Sequence, residues 1–163
     1  MRVLDVKGFE VLVDDDIYEF ASQYVWRFDK DGYVLRTGNK DGKRTRLYLH
    51  KMVLPSKEGL YVDHINRNKL DNRRENLRYA TYSQSGANKS KLEGSTSQYK
   101  GVYKHPVNVK GKTYEYWVAK VKKDGKVLFK KTFKDEIEAA KAYDREALKT
   151  HGEYAVLNFP ELL

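Results

Sequence analysis

Between Val62 and Arg78 the chain reads "VDHINRNKLDNRRENLR", in which only Val62, Ile65, Leu70 and Leu77 are apolar. A stretch this polar cannot build a core, so it must be a loop carried by flanking structure and pinned by its few apolar residues. Any fold for the chain has to hold this loop and the Asp–His pair that opens it.

The rest of the sequence offers short β elements as carriers. "FEVLVDDD", "DGYVLRT" and "KRTRLYLHKMVL" read as strands separated by "KDG" turns. "DDIYEFASQYVW" between them reads as a short helix capped by Asp15 or Asp16, with Ile17, Phe20, Ala21 and Tyr24 on one face. The segment "QSGANKSKLEGSTSQ" is small and polar, continuing a helix in its first half and serving as a flexible linker in its second. Beyond it, "QYKGVYKH", "TYEYWVAKVKK" and "KVLFKKTF" form three strands, the last two joined as a hairpin by "KDGK". A helix follows, "DEIEAAKAYDREALKTHG", with Asp135 and Glu138 as a capping box and Gly152 as its stop. Its Ala139, Ala140, Tyr143 and Ala147 form a small-residue face suited to lying on the sheet. Alternation in the middle strand sends Tyr114, Tyr116, Val118 and Lys120 one way and Glu115, Trp117, Ala119 and Val121 the other. One face of that sheet is then covered by the helix and the other left basic.

The expected class is α+β, in three parts. Residues 1–90 hold the β-rich segment and the loop, residues 91–98 are a linker, and residues 99–163 form the second domain. With 163 residues, 13 Tyr and 2 Trp, two small cores are within reach. The absence of Cys excludes a disulfide scaffold, a Cys-ligated zinc site and a Cys nucleophile. No apolar run approaches a membrane span or a secretory leader, so the expectation is a cytoplasmic protein without a membrane partner. No protein partner is evident either.

Net charge is +9 and unevenly placed. Thr96 to Lys134 holds 11 Lys against Glu115 and Asp124, and Arg67 to Lys91 holds 7 basic residues against Asp71 and Glu75. Two separate basic stretches point to two contacts with a polyanion.

In a strand Asp63 and His64 point to opposite faces and serve two tasks. A carboxylate is a hard ligand suited to Mg²⁺ or Mn²⁺. A neutral imidazole is the usual general base toward water. Phosphodiester hydrolysis uses both.

The longer string "VDHINRNKLDNRRENLRYATYSQSGANKS", with "LYLHKMV" ahead of it, resembles the HNH endonucleases of the phage and intron-encoded kind, built on a ββα-metal module. The resemblance implies that Asp63 ligates one divalent metal ion, His64 is the general base and Asn76 holds the loop and the base in place. Arg67, Arg73, Arg74 and Arg78 would be available for phosphates. The third motif position falls on a helix opened by Thr81 and Gln84. There the sequence departs, since Ser85 stands where the family has an Asn or His ligand, with Asn88 one turn on. Either Asn88 takes over, or Ser85 holds the metal through water, or the site is crippled. His50 matches a His often found ahead of the motif, without an assigned role.

The stretch from "QYKGVYKH" to "LNFP" resembles the AP2/ERF DNA-binding domain, through "YKGV", "WVAKV", "TF" and "EAAKAYD". That resemblance implies a sheet laid in the major groove of double-stranded DNA, with Lys100, Lys104, Trp117, Lys120 and Lys122 as contacts. Two functions from different classes follow: a DNA endonuclease, or a DNA-binding protein that keeps the nuclease module as structure only.

Overall fold

The computed structural model describes residues 1–91 and 93–162, with Lys40 described by its backbone alone. It shows a mixed α and β chain of several small antiparallel sheets and few helices, in two compact units, Met1–Thr81 and Tyr82–Leu163.

The first unit opens with an antiparallel hairpin, β1 (Arg2–Val6) and β2 (Phe9–Val13). Its two-residue turn, Lys7–Gly8, has both φ values positive, matching the twist of the strands it joins. Helix α1 (Asp15–Ala21) follows, and its N-cap is Asp14, one residue earlier than the sequence suggests, without a side-chain capping bond. Ala21 is buried and Ile17 packs on the core, but Phe20 and Tyr24 stay exposed against each other, so the apolar face is narrower than expected. The residue that closes the helix onto the core is Trp26, whose Nε1 donates to the Ala21 carbonyl at 2.8 Å.

Strands β3 (Arg27–Phe28), β4 (Val34–Lys40) and β5 (Lys43–Tyr48) form a three-stranded sheet in that order. The stretch "LHKMV", expected to extend β5, is instead helix α2 (Leu49–Val53). His50 and Val53 are three residues apart and both buried, a spacing a strand would split between two faces and a helix keeps on one. Strands β6 (Tyr61–His64) and β7 (Leu77–Ala80) then pair antiparallel, with Asp63 opposite Arg78 and His64 opposite Leu77. The core of this unit is made by Leu4, Val6, Val11, Val13, Ala21, Trp26, Val34 and Leu49.

The second unit begins with helix α3 (Tyr82–Ala87). Strands β8 (Val102–Val109), β9 (Lys112–Lys123) and β10 (Lys126–Phe133) form an antiparallel sheet with β9 central. Helix α4 (Glu136–His151) starts at Asp135, whose carboxylate accepts from the Glu138 N–H at 2.8 Å, as the capping box requires. Its Ala139, Ala140, Tyr143 and Ala147 pack with Val102, Ala119 and Val121, so the helix covers the odd-numbered face of β9. Lys104 pairs in register with Trp117, and the indole packs against this helix-side cluster. Trp117 thus lies on the helix-side face with Ala119 and Val121, as alternation predicts, and Lys104, opposite it in register, shares that face. Lys120 and Lys122, by alternation, are on the face that α4 does not cover.

Two anchors in this unit have no counterpart in the sequence reading. Buried Asp144 accepts from the backbone N–H groups of Asn158 and Phe159 and from Asn158 Nδ2, all within 2.9 Å, tying the "LNFP" segment to α4. In the linker region, where Leu92 lies outside the described residues, Ser97 is buried and its Oγ donates to Glu136 at 2.7 Å. Ser97 is therefore a fixed point in a segment expected to be flexible.

Candidate active site

Strand β6 ends on Asp63 and His64, which are 9% and 4% exposed. The polar loop that follows carries its own hydrogen bonds, which explains its many Asn residues. Asn66 Oδ1 accepts from the Asn68 N–H at 2.8 Å, and Asn68 Oδ1 accepts from the Leu70 N–H at 3.0 Å. Asn76 closes the loop as a latch. Its Nδ2 donates to Asn66 Oδ1 at 2.9 Å and to the Asp71 carbonyl at 2.8 Å, while its Oδ1 accepts from the Asn66 N–H at 3.0 Å. Its carbonyl accepts from the N–H of Ile65, next to the His64 backbone, at 2.8 Å.

The N-terminal hairpin takes part directly. The Leu12 N–H donates to the Leu70 carbonyl and the Asn72 N–H to the Leu12 carbonyl, both at 2.8 Å, so β2 runs alongside the loop as a short parallel bridge at Asp71. Asn72 is 0% exposed, and its Oδ1 accepts from His64 Nε2 at 3.4 Å. With Nε2 carrying the proton, Nδ1 bears the lone pair that a base needs. Burial lowers the His64 pKa, outweighing the opposing pull of Asn72 and Asp63, which keeps the ring neutral at pH 7.

Behind His64 is an aromatic wall. The rings of His50, Tyr33 and His64 have centroids 5.2 to 6.0 Å apart, with His50 and His64 edge to face at 5.4 Å. His50 is buried and its pKa falls to about 3, chiefly through burial and then through His64. Its Nδ1 has no hydrogen-bond partner. Asn72, Asp71, Tyr33 and Tyr48 were missed by sequence reasoning; for Asn72 and Asp71 the available signal was their place inside the quoted "LDNRREN".

Three arginines expected to meet phosphates are engaged by carboxylates of the same unit. Arg73 grips Asp71 through Nε at 2.8 Å and Nη2 at 2.7 Å, and also meets Glu75. This grip holds the Asp71 carboxyl below the usual range. Arg74 bonds Asp16 at 2.8 Å and Asp14 at 3.3 Å. Arg78 Nε donates to Asp63 Oδ2 at 3.2 Å. Each is held by an ion pair within its own unit; Arg67, exposed like Arg74, sits at a backbone φ of 66°. In the second unit Lys100 is likewise engaged: its N–H donates to Asn158 Oδ1 at 2.7 Å and its Nζ meets the Ala87 carbonyl. Lys104 pairs with Glu115 at 2.8 Å.

The fold thus brings Asp63, His64, Asn76 and Arg78 together, while Ser85, half-buried, and Asn88, 5% exposed, belong to the second unit. Among the described residues no group of three His, Asp or Glu side chains is arranged to hold a metal. A carboxylate such as that of Asp63 suits a hard cation, which commonly takes one or two carboxylates and fills its shell with water and phosphate.

The site joins a buried strand carboxylate, a neutral imidazole and an Asn-latched loop, groups of the kind hydrolytic chemistry uses. The sequence profile of the HNH endonucleases matches residues 54–87. An uncharacterised HNH endonuclease of Acanthamoeba polyphaga mimivirus is 32% identical over 154 residues, covering 93% of this chain and 76% of the relative. The chain belongs to the HNH endonuclease family. No solved structure matches it. No helix among the described residues is long and apolar enough to cross a membrane.

Proposed function

We propose that the protein is a metal-dependent HNH endonuclease that nicks or cleaves duplex DNA by hydrolysis of a phosphodiester. The observation that carries this reading is the neutral His64, held by Asn72 on a loop latched by Asn76, beside Asp63. His64 Nδ1 takes a proton from water, the resulting hydroxide attacks phosphorus, and the bond to the leaving oxygen breaks. Asp63, with Ser85 or Asn88, would hold Mg²⁺ or Mn²⁺; the ion supplies neutralisation of charge on the phosphorane and the leaving oxygen.

The second unit acts in this reading as an AP2/ERF-like domain that places the nuclease on DNA. Its sheet has a face not covered by α4, carrying Lys120 and Lys122, which supports contact with phosphates. Arg67 is an exposed loop cation available for a phosphate.

Ser85 favours a second reading, a DNA-binding protein with an impaired nuclease module, because a hydroxyl is a poorer ligand than a carboxamide or imidazole. Incubating supercoiled plasmid with the protein in Mg²⁺, in Mn²⁺ and with chelator separates the two. Nicking that needs metal is expected. Binding without relaxation in either metal would reject the enzyme and leave the second reading.

A further inference from the structure

The second unit contains a cavity of about 740 Å³ that none of the nuclease chemistry uses. Its walls come from α3, the segment after it, the starts of β8 and α4's packing partners, and the β9–β10 turn. Val102, Val121, Tyr103 and Tyr143 give it an apolar lining. Five lysines, Lys89, Lys91, Lys100, Lys120 and Lys122, also line it, against two acids, Glu93 and Asp124; the amines of Lys100 and Lys91 already donate to the Ala87 and Ser97 carbonyls, which leaves Lys89, Lys120 and Lys122 as the rim for an anion. The Lys120 amine is already placed 5.0 Å from the Tyr103 ring centroid.

This combination selects a ligand class. Cavities of roughly 300 to 1,000 Å³ hold compact organic ligands. An apolar, tyrosine-bearing floor takes a flat ring, because stacking and burial tolerate any base with a π-face. A lysine-rich rim takes an anion held on a short arm from that ring. Inorganic phosphate satisfies only the rim and a nucleoside only the floor. We infer that the cavity binds a single 5′-nucleotide unit, its base on the Val102–Tyr103 side and its phosphate among the lysines. The unit is either free nucleotide or one unstacked from a DNA strand, at the cost of a lost stack. The second source rests on the DNA reading above; the first does not.

Gly86 supplies the test. It lines the cavity, its φ is not in the left-handed region, and an added Cβ meets nothing within 4 Å. Gly86→Phe therefore fills the space without backbone strain. Binding of dAMP, deoxyadenosine and inorganic phosphate to the full chain is measured by calorimetry, with amide shifts of Gly101, Val121 and Gly125 as a local readout. The wild type is expected to bind dAMP at least tenfold more tightly than either fragment, and Gly86→Phe to lose at least tenfold in dAMP affinity with phosphate binding unchanged. Equal affinity for dAMP and phosphate, or full dAMP affinity in Gly86→Phe, overturns the inference. A duplex carrying 2-aminopurine separates the sources. A fluorescence rise on binding to wild type but not to Gly86→Phe assigns the strand nucleotide, whereas dAMP binding without that rise assigns the free one. Loss of duplex affinity with dAMP binding intact would reject the DNA reading alone.

Discussion

Asn72 is fully buried and accepts a hydrogen bond from His64 Nε2 at 3.4 Å, so the tautomer of the base is set by a loop residue eight positions away. Asn72 is itself fixed by Leu12, through the bond from its backbone N–H at 2.8 Å, and by the Lys69 carbonyl, to which its Nδ2 donates at 3.1 Å. Removing the carboxamide frees the ring to turn or to protonate at the other nitrogen. Asn72→Ala should lower kcat for DNA cleavage by about 10- to 100-fold, a part of the roughly 10²- to 10⁴-fold a positioned base contributes, with KM little changed. Steady-state nicking rates over a DNA concentration series check the split; a change confined to KM would remove Asn72 from the orienting role.

Asn76 acts on the whole loop. Asn76→Ala leaves the Asn66 N–H, the Asn66 carboxamide oxygen and the Asp71 carbonyl without their shared partner. Partly buried polar groups left unpaired cost about 1 to 3 kcal/mol each, reduced where water can enter. A total loss of about 2 to 4 kcal/mol is expected in urea unfolding of the first unit. Asn76→Asp keeps the acceptor but turns a carboxylate oxygen onto the Asn66 carboxamide oxygen and the Asp71 carbonyl, and should lose at least as much as Asn76→Ala.

The aromatic wall makes stability depend on pH. His50 titrates near 6.5 when unfolded and at about 3 in the fold. Between these values the unfolded chain binds a proton the folded chain does not, so stability is full above about pH 6.5 and falls as pH drops. From pH 7 to 5 this amounts to about 2 kcal/mol for His50 alone. His64 shifts in the same direction. His50→Phe should therefore flatten the stability profile between pH 7 and 5 by about 2 kcal/mol. Denaturation midpoints at half-unit pH steps test it, and an unchanged slope would show that His50 is not the group responsible.

What the sequence revealed of this arrangement was what local pattern encodes. The strands of the second unit, its capped helix and the Asn76 latch follow from alternation, a capping box and a long motif. The identity of α2 did not, because in "LYLHKMV" only His50 and Lys51 interrupt the apolar run, and strand and helix periods cannot be told apart over so few residues. The ion pair of Arg74 was not legible for a different reason. Its partner Asp14 is 60 residues distant, and a pairing at that range leaves no trace in composition. The bridge from Leu12 to the loop was invisible in the same way, so the N-terminal hairpin read as scaffold when it also holds Asn72.

Gly101 is a sharper local test. Its φ is 73°, and a Cβ built on it would come within 2.0 Å of the Tyr143 ring, itself buried against the sheet. Strain and overlap add here, since an L-residue resists this φ and the Tyr143 ring must shift out of its packing to make room. Gly101→Ala should cost about 3 kcal/mol or more of stability, and the variant is expected to be largely unfolded in the second unit. Far-UV circular dichroism with thermal melts reads this directly. A native melt would mean that Tyr143 can move aside.

The helix after β7 decides how active the nuclease is. Ser85 is half-buried, whereas Asn88 is 5% exposed and its N–H continues the helical pattern by donating to the Gln84 carbonyl at 3.0 Å. Mg²⁺ needs oxygen ligands at about 2.0 to 2.1 Å but keeps several waters, so under the proposed reading a serine that reaches the ion through water would weaken the site without abolishing it. Reduced but measurable cleavage is therefore expected, with both positions contributing. Ser85→Asn should raise the metal-dependent rate several-fold by supplying a direct carboxamide oxygen. Asn88→Ala should lower it about tenfold or more, with DNA binding retained. Because Asn88 is buried, its variant is compared at matched folded fractions from thermal melts, and Asn88→Asp serves as a second probe that keeps an oxygen at the same place. A rate increase of several orders of magnitude in Ser85→Asn, together with no effect at Asn88, would mean that the natural site is crippled and that Asn88 is no ligand.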